Sequence, residues 1–355
     1  MNSVNSKWNA ILVPVLAVIL GMLVGALVML AMGFNPIRGY ELVFQGIFGN
    51  AYYLGETLRA VTPLIFAGLA VAFAFRTGLF NIGVEGQFIV GQLAAAWVGI
   101  SWNLPPVIHA IVAVLVAMVA AGLYAGLAGW LKAKLGVHEV ITTIMLNYVA
   151  LFSSNYVIRT FLKGQSEGTE DIQPSASLTS DFFSSIFDGA RLNWGLIIAL
   201  LFTLLMYWLL WKTTVGYELR SVGFNPHASE YAGMNVSKNI VLSMVISGML
   251  AGAGGAVETL GVYGYMVISA GFTGIGFDGI AVALIGANNP FGVVLGALLF
   301  GGFSFGADNM QRVEGIPTES IQIVISMVIY FVAASAIIYR LLGVFRRRRR
   351  EEVQS

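Results

Sequence analysis

The stretch ILVPVLAVILGMLVGALVMLAMGF, Ile11 to Phe34, carries no charged residue. A bilayer core about 30 Å thick is crossed by about 20 apolar residues in a helix, so this stretch is long enough to span one. It is too long for the apolar region of a signal peptide and has no A-x-A-like end, which predicts a retained helix. Carried along the chain, the same window gives ten candidate segments: 10–33, 58–75, 87–101, 107–131, 140–162, 193–211, 240–260, 276–288, 291–306 and 320–342. The expected fold class is all-α, a polytopic membrane protein of about ten transmembrane helices. The pair at 276–306 is short and broken by Asn288-Asn289-Pro290, leaving open two crossings or one re-entrant hairpin.

Composition points the same way. Of 355 residues, 57% are hydrophobic and 10% charged, against roughly 45–50% and 25% in soluble domains; the mean hydropathy is +0.82. A net charge of +1 gives no field for nucleic acid. With no cysteine, disulfides, zinc–thiolate sites, iron–sulfur clusters and thiol nucleophiles are excluded. His109, His138 and His227 form no HExxH pair, so no metal site is expected. No nucleophile–base pair emerges either, and the chain is not expected to be an enzyme.

Lys and Arg set the orientation. With the N-terminus inside, thirteen of the 19 cations fall inside, among them Arg76, Lys132, Lys134, Lys212, Arg220, Lys238, Arg340 and the run Arg346 to Arg350. Acids gather outside, in 163–192 and near Asp308, Glu314 and Glu319. Both termini are therefore expected in the cytoplasm, and the basic tail 346–355 is expected against anionic headgroups. The 42 glycines recur as small-xxx-small pairs, Gly21/Gly25, Gly122/Gly126, Gly248/Gly252, Gly292/Gly296 and Gly302/Gly306, which suit close helix packing in lipid. The sequon Asn235-Val236-Ser237 falls inside and is expected to be chance.

Polar groups at membrane depth carry the functional signal, because each ionised one costs about 2.5–3.5 kcal/mol at a helix centre. Arg76 to Gln87 interrupts two apolar segments with three glycines, Asn81, Glu85 and Gln87. Such a break is either a discontinuous helix lining a cavity or a plain cytoplasmic turn. Glu139, Thr143 and Asn147 share one helical face, with Thr142 beside it; that stripe can line a solute path or make interhelical hydrogen bonds. Asn81, Glu85, Gln87, Thr142, Thr143 and Asn147 are the substrate-path candidates. Gly274 to Gly279 matches G-x-G-x-x-G, but without the βαβ setting of a dinucleotide site it predicts only a flexible start to 276–288. The long inner loop, 212–238, contains Asn225-Pro226, which opens a short helix closed by Gly233, suited to docking a partner. The chain has no Walker sequence and no Gly-Lys pair, so an ATP-driven process needs a separate ATPase.

GLFNIGVEGQ (Gly78 to Gln87) and the loop pattern Gly216-x-x-Leu219-Arg220-x-x-Gly223-x-Asn225 ending Ala232-Gly233 together resemble the simple-sugar and nucleoside branch of ABC importer permeases. The resemblance spans nearly the whole chain, including Asn288-Asn289-Pro290-Phe291-Gly292, and is greatest to the longer permease of bacterial nucleoside uptake systems. It implies a type II importer fold in one permease domain, 1–355, with a membrane core at 10–345. It implies an internal inverted repeat, which the sequence itself does not display. It implies a multi-pass protein of the bacterial cytoplasmic membrane that binds no cofactor itself. Its partners would be a second, shorter permease, a cytoplasmic ATPase that binds and hydrolyses ATP, and an extracytoplasmic substrate-binding lipoprotein. Gly216, Arg220, Gly223, Asn225, Ala228, Ala232 and Gly233 would form the ATPase-coupling loop, and nucleosides would be the cargo. Alternatives are a sugar or branched-chain amino acid as cargo, or an ion-coupled transporter using Glu85, Glu258 or Asp278.

Overall fold

A computed structural model describes residues 3–165 and 167–333. The basic tail 346–355, Arg340 and the end of the segment 320–342 lie outside the described residues. Among the described residues the chain is helical, with no strand but with isolated bridges such as Lys163 with Thr169 and Gly168 with Val267.

The chain divides into two compact units. The first, 1–50 with 302–355, holds α1 (Ser3–Ala31), α2 (Pro36–Phe48), the second half of α13 (Pro290–Glu314) and α14 (Glu319–Ala333). Residues 34–48 were not expected to be helical. Asn35 makes them so: its Oδ1 accepts from the backbone N–H of Ile37 at 3.0 Å, and Pro36 fills the first helical position. The axis turns by 120° between α1 and α2. Gly21 and Gly25 face Val328 and Val324 of α14, and Gly306 faces Val43.

The second unit, 51–301, holds α3 (Ala51–Arg76), α4 (Val84–Ser101), α5 (Ile108–Leu135), α6 (Glu139–Val157), α7 (Asp181–Ile186), α8 (Gly195–Lys212), α9 (Thr214–Phe224), α10 (Pro226–Tyr231), α11 (Val236–Glu258), α12 (Ile275–Ile285) and the first half of α13. α3 is central, its residues from Val61 to Ala74 buried without interruption, as a helix apolar all round should be. Small residues bring backbones together: a Cβ on Gly91 of α4 would stand 2.5 Å from the Cα of Gly252 on α11. On its other side α11 packs Gly248 and Gly252 against Ala117, Ala121 and Ala125 of α5. Water gives no drive for such packing in lipid, so contact distance decides it.

Among the described residues, six helices are long and apolar enough to cross a membrane: α3, α5, α6 with its π extension to Leu162, α8, α11 with its π extension to Tyr263, and α13. The α1–α2 pair makes up to seven, and α12 and α14 are shorter apolar helices. The expected segment 276–306 therefore folds as two helices, broken at Ala287 and Asn288, both at positive φ. α4 falls outside the six, being the helix that carries Glu85, Gln87 and Gln92.

Candidate translocation site

Seven residues, 77–83, join α3 to α4, and among them Thr77, Leu79, Asn81 and Gly83 are buried. The stretch is thus a buried break between helices, not a solvated turn. Its polar groups are satisfied internally, as water-free surroundings require. The Asn81 amide donates to Gln87 Oε1 at 2.9 Å and to Ser247 Oγ of α11 at 2.8 Å, while its Oδ1 accepts from Gln87 Nε2 and from Gly83 N–H, both at 3.0 Å. Ser247 in turn donates to the carbonyl of Ala70 at 2.6 Å. Asn147 of α6 accepts from Gly86 N–H at 2.8 Å and donates to the carbonyl of Ile82 at 3.0 Å. The connector is therefore sewn to α3, α6 and α11 at once.

Glu85 faces the other way. It is wholly buried, and its carboxylate accepts from Thr273 Oγ1 at 2.8 Å, Gly274 N–H at 2.9 Å and Gly276 N–H at 2.6 Å. The Gly274 and Gly276 donors are orphan amides at the start of α12, where an anion is favoured. The G-x-G-x-x-G run is accordingly pinned, not flexible. Gly274 takes φ +87°, and a Cβ on Gly276 would strike the backbone of Val84 and Glu85. At the opposite end of α12, Arg76 donates to the carbonyls of Asn288 at 2.8 Å and Ala287 at 3.0 Å, its guanidinium 5.4 Å from the Trp211 ring.

The six path candidates do not all meet. Asn81, Gln87 and Asn147 meet at the connector, and Glu85 meets the start of α12. Thr143 is buried but bonds within its own helix, to Glu139 at 2.8 Å, and half-buried Thr142 bonds to His138. Glu139 pairs with Lys132, tying the end of α5 to the start of α6. Of the other acids, Glu258 is buried with Oε2 unpartnered, and Asp278 is half-buried in the first turn of α12.

The inner loop 212–238 is two helices, not one. α9 is capped by Thr213, whose Oγ1 accepts from Gly216 N–H at 3.0 Å. α10 begins at Pro226 under an Asn225 cap, with Oδ1 accepting from Ala228 N–H at 3.0 Å, and ends before Gly233 at φ +86°. Asn235, half of the sequon, caps α11 by accepting from Lys238 N–H. A Cβ on Gly223 would strike the backbone of Arg76, Thr77 and Gly78, so α9 rests directly on the connector. Arg220 sends Nε to the carbonyl of Gly216 at 3.3 Å.

On the expected outer side, sequence reasoning missed Glu56. It accepts from Arg191 backbone N–H at 2.7 Å, from Arg191 Nη2 at 2.9 Å and from Arg59 Nε at 2.8 Å. This contact raises the Arg191 guanidinium above its ordinary value. The i,i+3 spacing of Glu56 and Arg59 was the available signal.

Apolar helices around a buried, hydrogen-bonded break, with a helical loop standing on that break, define a polytopic membrane permease. Residues 53–333 match the family described as branched-chain amino acid transport system / permease component, and the chain belongs to that family. It is a multi-pass membrane transport component of the ABC type and not an enzyme. It is 52% identical over 342 residues to the guanosine ABC transporter permease protein NupP of Bacillus subtilis, covering 96% of this chain and 98% of that one. It is 41% identical over 341 residues to the nucleoside ABC transporter permease protein NupB of Lactococcus lactis, covering 94% and 93%. It is 33% identical over 355 residues to the glucose ABC transporter permease protein TsgB13 of Haloferax volcanii, covering 96% and 92%. No solved structure matches the chain.

Proposed function

We propose that this chain is the membrane subunit of an ATP-driven nucleoside importer, acting as one permease domain over 1–355 with both termini in the cytoplasm. The observation that carries the proposal is the 52% identity, over almost all of both chains, to a guanosine permease. ATP is bound and hydrolysed by a separate cytoplasmic ATPase. A second, shorter permease completes the path, and a substrate-binding lipoprotein delivers cargo outside. The inner loop, 212–238, carries Gly216, Arg220, Gly223, Asn225, Ala228, Ala232 and Gly233 as the coupling surface. Contact of α9 with the connector supports that role, because a push on α9 is delivered to the break between α3 and α4 with no intervening flexible segment. Asn81, Glu85, Gln87, Thr142, Thr143 and Asn147 border the path, and the tail 346–355 lies on the inner leaflet.

Reconstitution tests this. Vesicles holding this chain alone should neither hydrolyse ATP nor accumulate labelled guanosine or uridine; those holding all components should do both. Gly223→Ala in the full complex should leave insertion and ATP hydrolysis intact while uptake per ATP falls. Uptake that persists without the ATPase, or that collapses with the ion gradient at constant ATP, refutes the proposal. The similarity to the glucose permease favours a sugar as the second reading, decided by whether unlabelled glucose or uridine displaces the labelled cargo.

A further inference from the structure

The α4 face that carries Glu85 continues seven residues on to Gln92, and the α6 face that carries Asn147 continues seven on to Ser154. Between them, closed by the segment 263–273, is a cavity of about 360 Å³, within the roughly 300–1,000 Å³ range of small-molecule sites. Two π turns lie at its edge, Ile158–Leu162 after α6 and Thr259–Tyr263 after α11, a form concentrated at functional sites.

The lining is selective in chemistry. It contains no charged residue, which suits an uncharged solute and leaves an amino acid's ammonium and carboxylate without partners. Ile89, Leu151 and Met266 supply an apolar wall, and Tyr263 and Tyr265 supply two aromatic rings. The Gln92 amide and both tyrosine hydroxyls make no hydrogen bond among the described residues, whereas Asn155 is committed to Ser269, donating to its carbonyl at 2.7 Å and accepting from its N–H at 3.1 Å. Thr273 joins the lining to Glu85, so the recess is fixed to the start of α12.

We infer that this recess is a nucleoside-binding station within the permease, recognising an uncharged base by the faces of Tyr263 and Tyr265 and by the amide of Gln92. The inference rests on the nucleoside reading above. A base has a planar ring to stack and a hydrogen-bonding edge, and such stacking is worth about 1–3 kcal/mol per base. A sugar can lay its C–H face on a tyrosine ring but has no planar, hydrogen-bonding base edge for the Gln92 amide.

The chain has no cysteine, which makes the test direct. In the complete complex, Ser269→Cys, on the cavity lining, is exposed to a membrane-impermeant thiol reagent from outside the cell, with Ala270→Cys as a second variant should the first fail to insert. Modification should block uptake, guanosine or uridine should slow it at least about fivefold, and leucine should not, while the wild-type complex stays unmodified at this subunit. In parallel, Tyr265→Ala should cut nucleoside uptake by about tenfold, with Tyr265→Phe retaining most of it. A wild-type complex that carries no nucleoside refutes the proposed function itself. Where the wild type carries nucleoside, a cysteine variant that is not labelled, or is labelled at the same rate with and without nucleoside, refutes the recess.

Discussion

Replacing Glu85 by alanine removes the acceptor of three hydrogen bonds at once, two of them from the backbone amides of Gly274 and Gly276. Those amides have no intrahelical partner and are fixed by the helix start. A buried donor stripped of its acceptor costs about 1–3 kcal/mol, so the two amides set a range of about 2–6 kcal/mol. Hydrogen bonds between membrane helices average nearer 0.6 kcal/mol, because the separated helices find other partners. Three of those give about 2 kcal/mol, and both routes meet at that figure. Local opening at the start of α12 should therefore become easier by about 2 kcal/mol, which is about 30-fold at 1.36 kcal/mol per factor of ten. Hydrogen–deuterium exchange of a peptide covering 273–278, in detergent, reads that change directly. Glu85→Gln should fall between, since its amide keeps one accepting oxygen and turns an NH₂ toward the other donor. If Glu85→Ala inserts normally and this peptide exchanges at the wild-type rate, Glu85 does not hold α12 and the account of the broken core fails.

Gly252→Leu should leave insertion intact but lower thermal stability sharply, by well over about 1–3 kcal/mol, because a Cβ there already meets the carbonyl of Ala117 and the Cβ of Ala121; an unchanged melting profile would show that α5 and α11 are not in close contact. Glu56→Ala strands the mostly buried Arg59, while Arg191 stays half exposed, and should cost about 1–3 kcal/mol, read as lower thermal stability and faster proteolysis within 163–192; a variant as resistant as wild type would remove Glu56 from the role of loop anchor.

Hydropathy made most helices legible, since an unbroken apolar run such as that around α8 has few alternatives. α2 escaped notice because Arg38, Glu41 and Gln45 interrupt its apolar face, and α9 because only Gly216, Leu219 and Val222 of it are buried. The site was legible in its residue types and illegible in its pairings. Asn81, Glu85 and Gln87 announce themselves as costly groups in an apolar setting, but nothing local connects Asn81 to Ser247 or Glu85 to Thr273, which lie 166 and 188 residues away. The stripe on α6 offered a solute path or interhelical bonding, and Asn147 bonds across to the connector. Gln92 gave no signal, because an isolated amide is noticed only when it is seen to lack a partner.

α12 has 11 residues, about 16 Å of helix at 1.5 Å per residue and so about half of a 30 Å hydrocarbon core. Its first amides have no intrahelical partner, whereas its last carbonyls accept from the backbone N–H groups of Gly286, Ala287 and Asn288. Glu85 plugs the positive terminus and Arg76 holds the carbonyls of Ala287 and Asn288 just past the negative one, so the two plugs are opposite in charge, like a short dipole shorted at both poles. Losing either plug would leave an uncompensated charge on the other, whereas exchanging both for neutral polar groups would keep the balance. Arg76 and Glu85, nine positions apart in the chain, thus hold the two ends of one short rod.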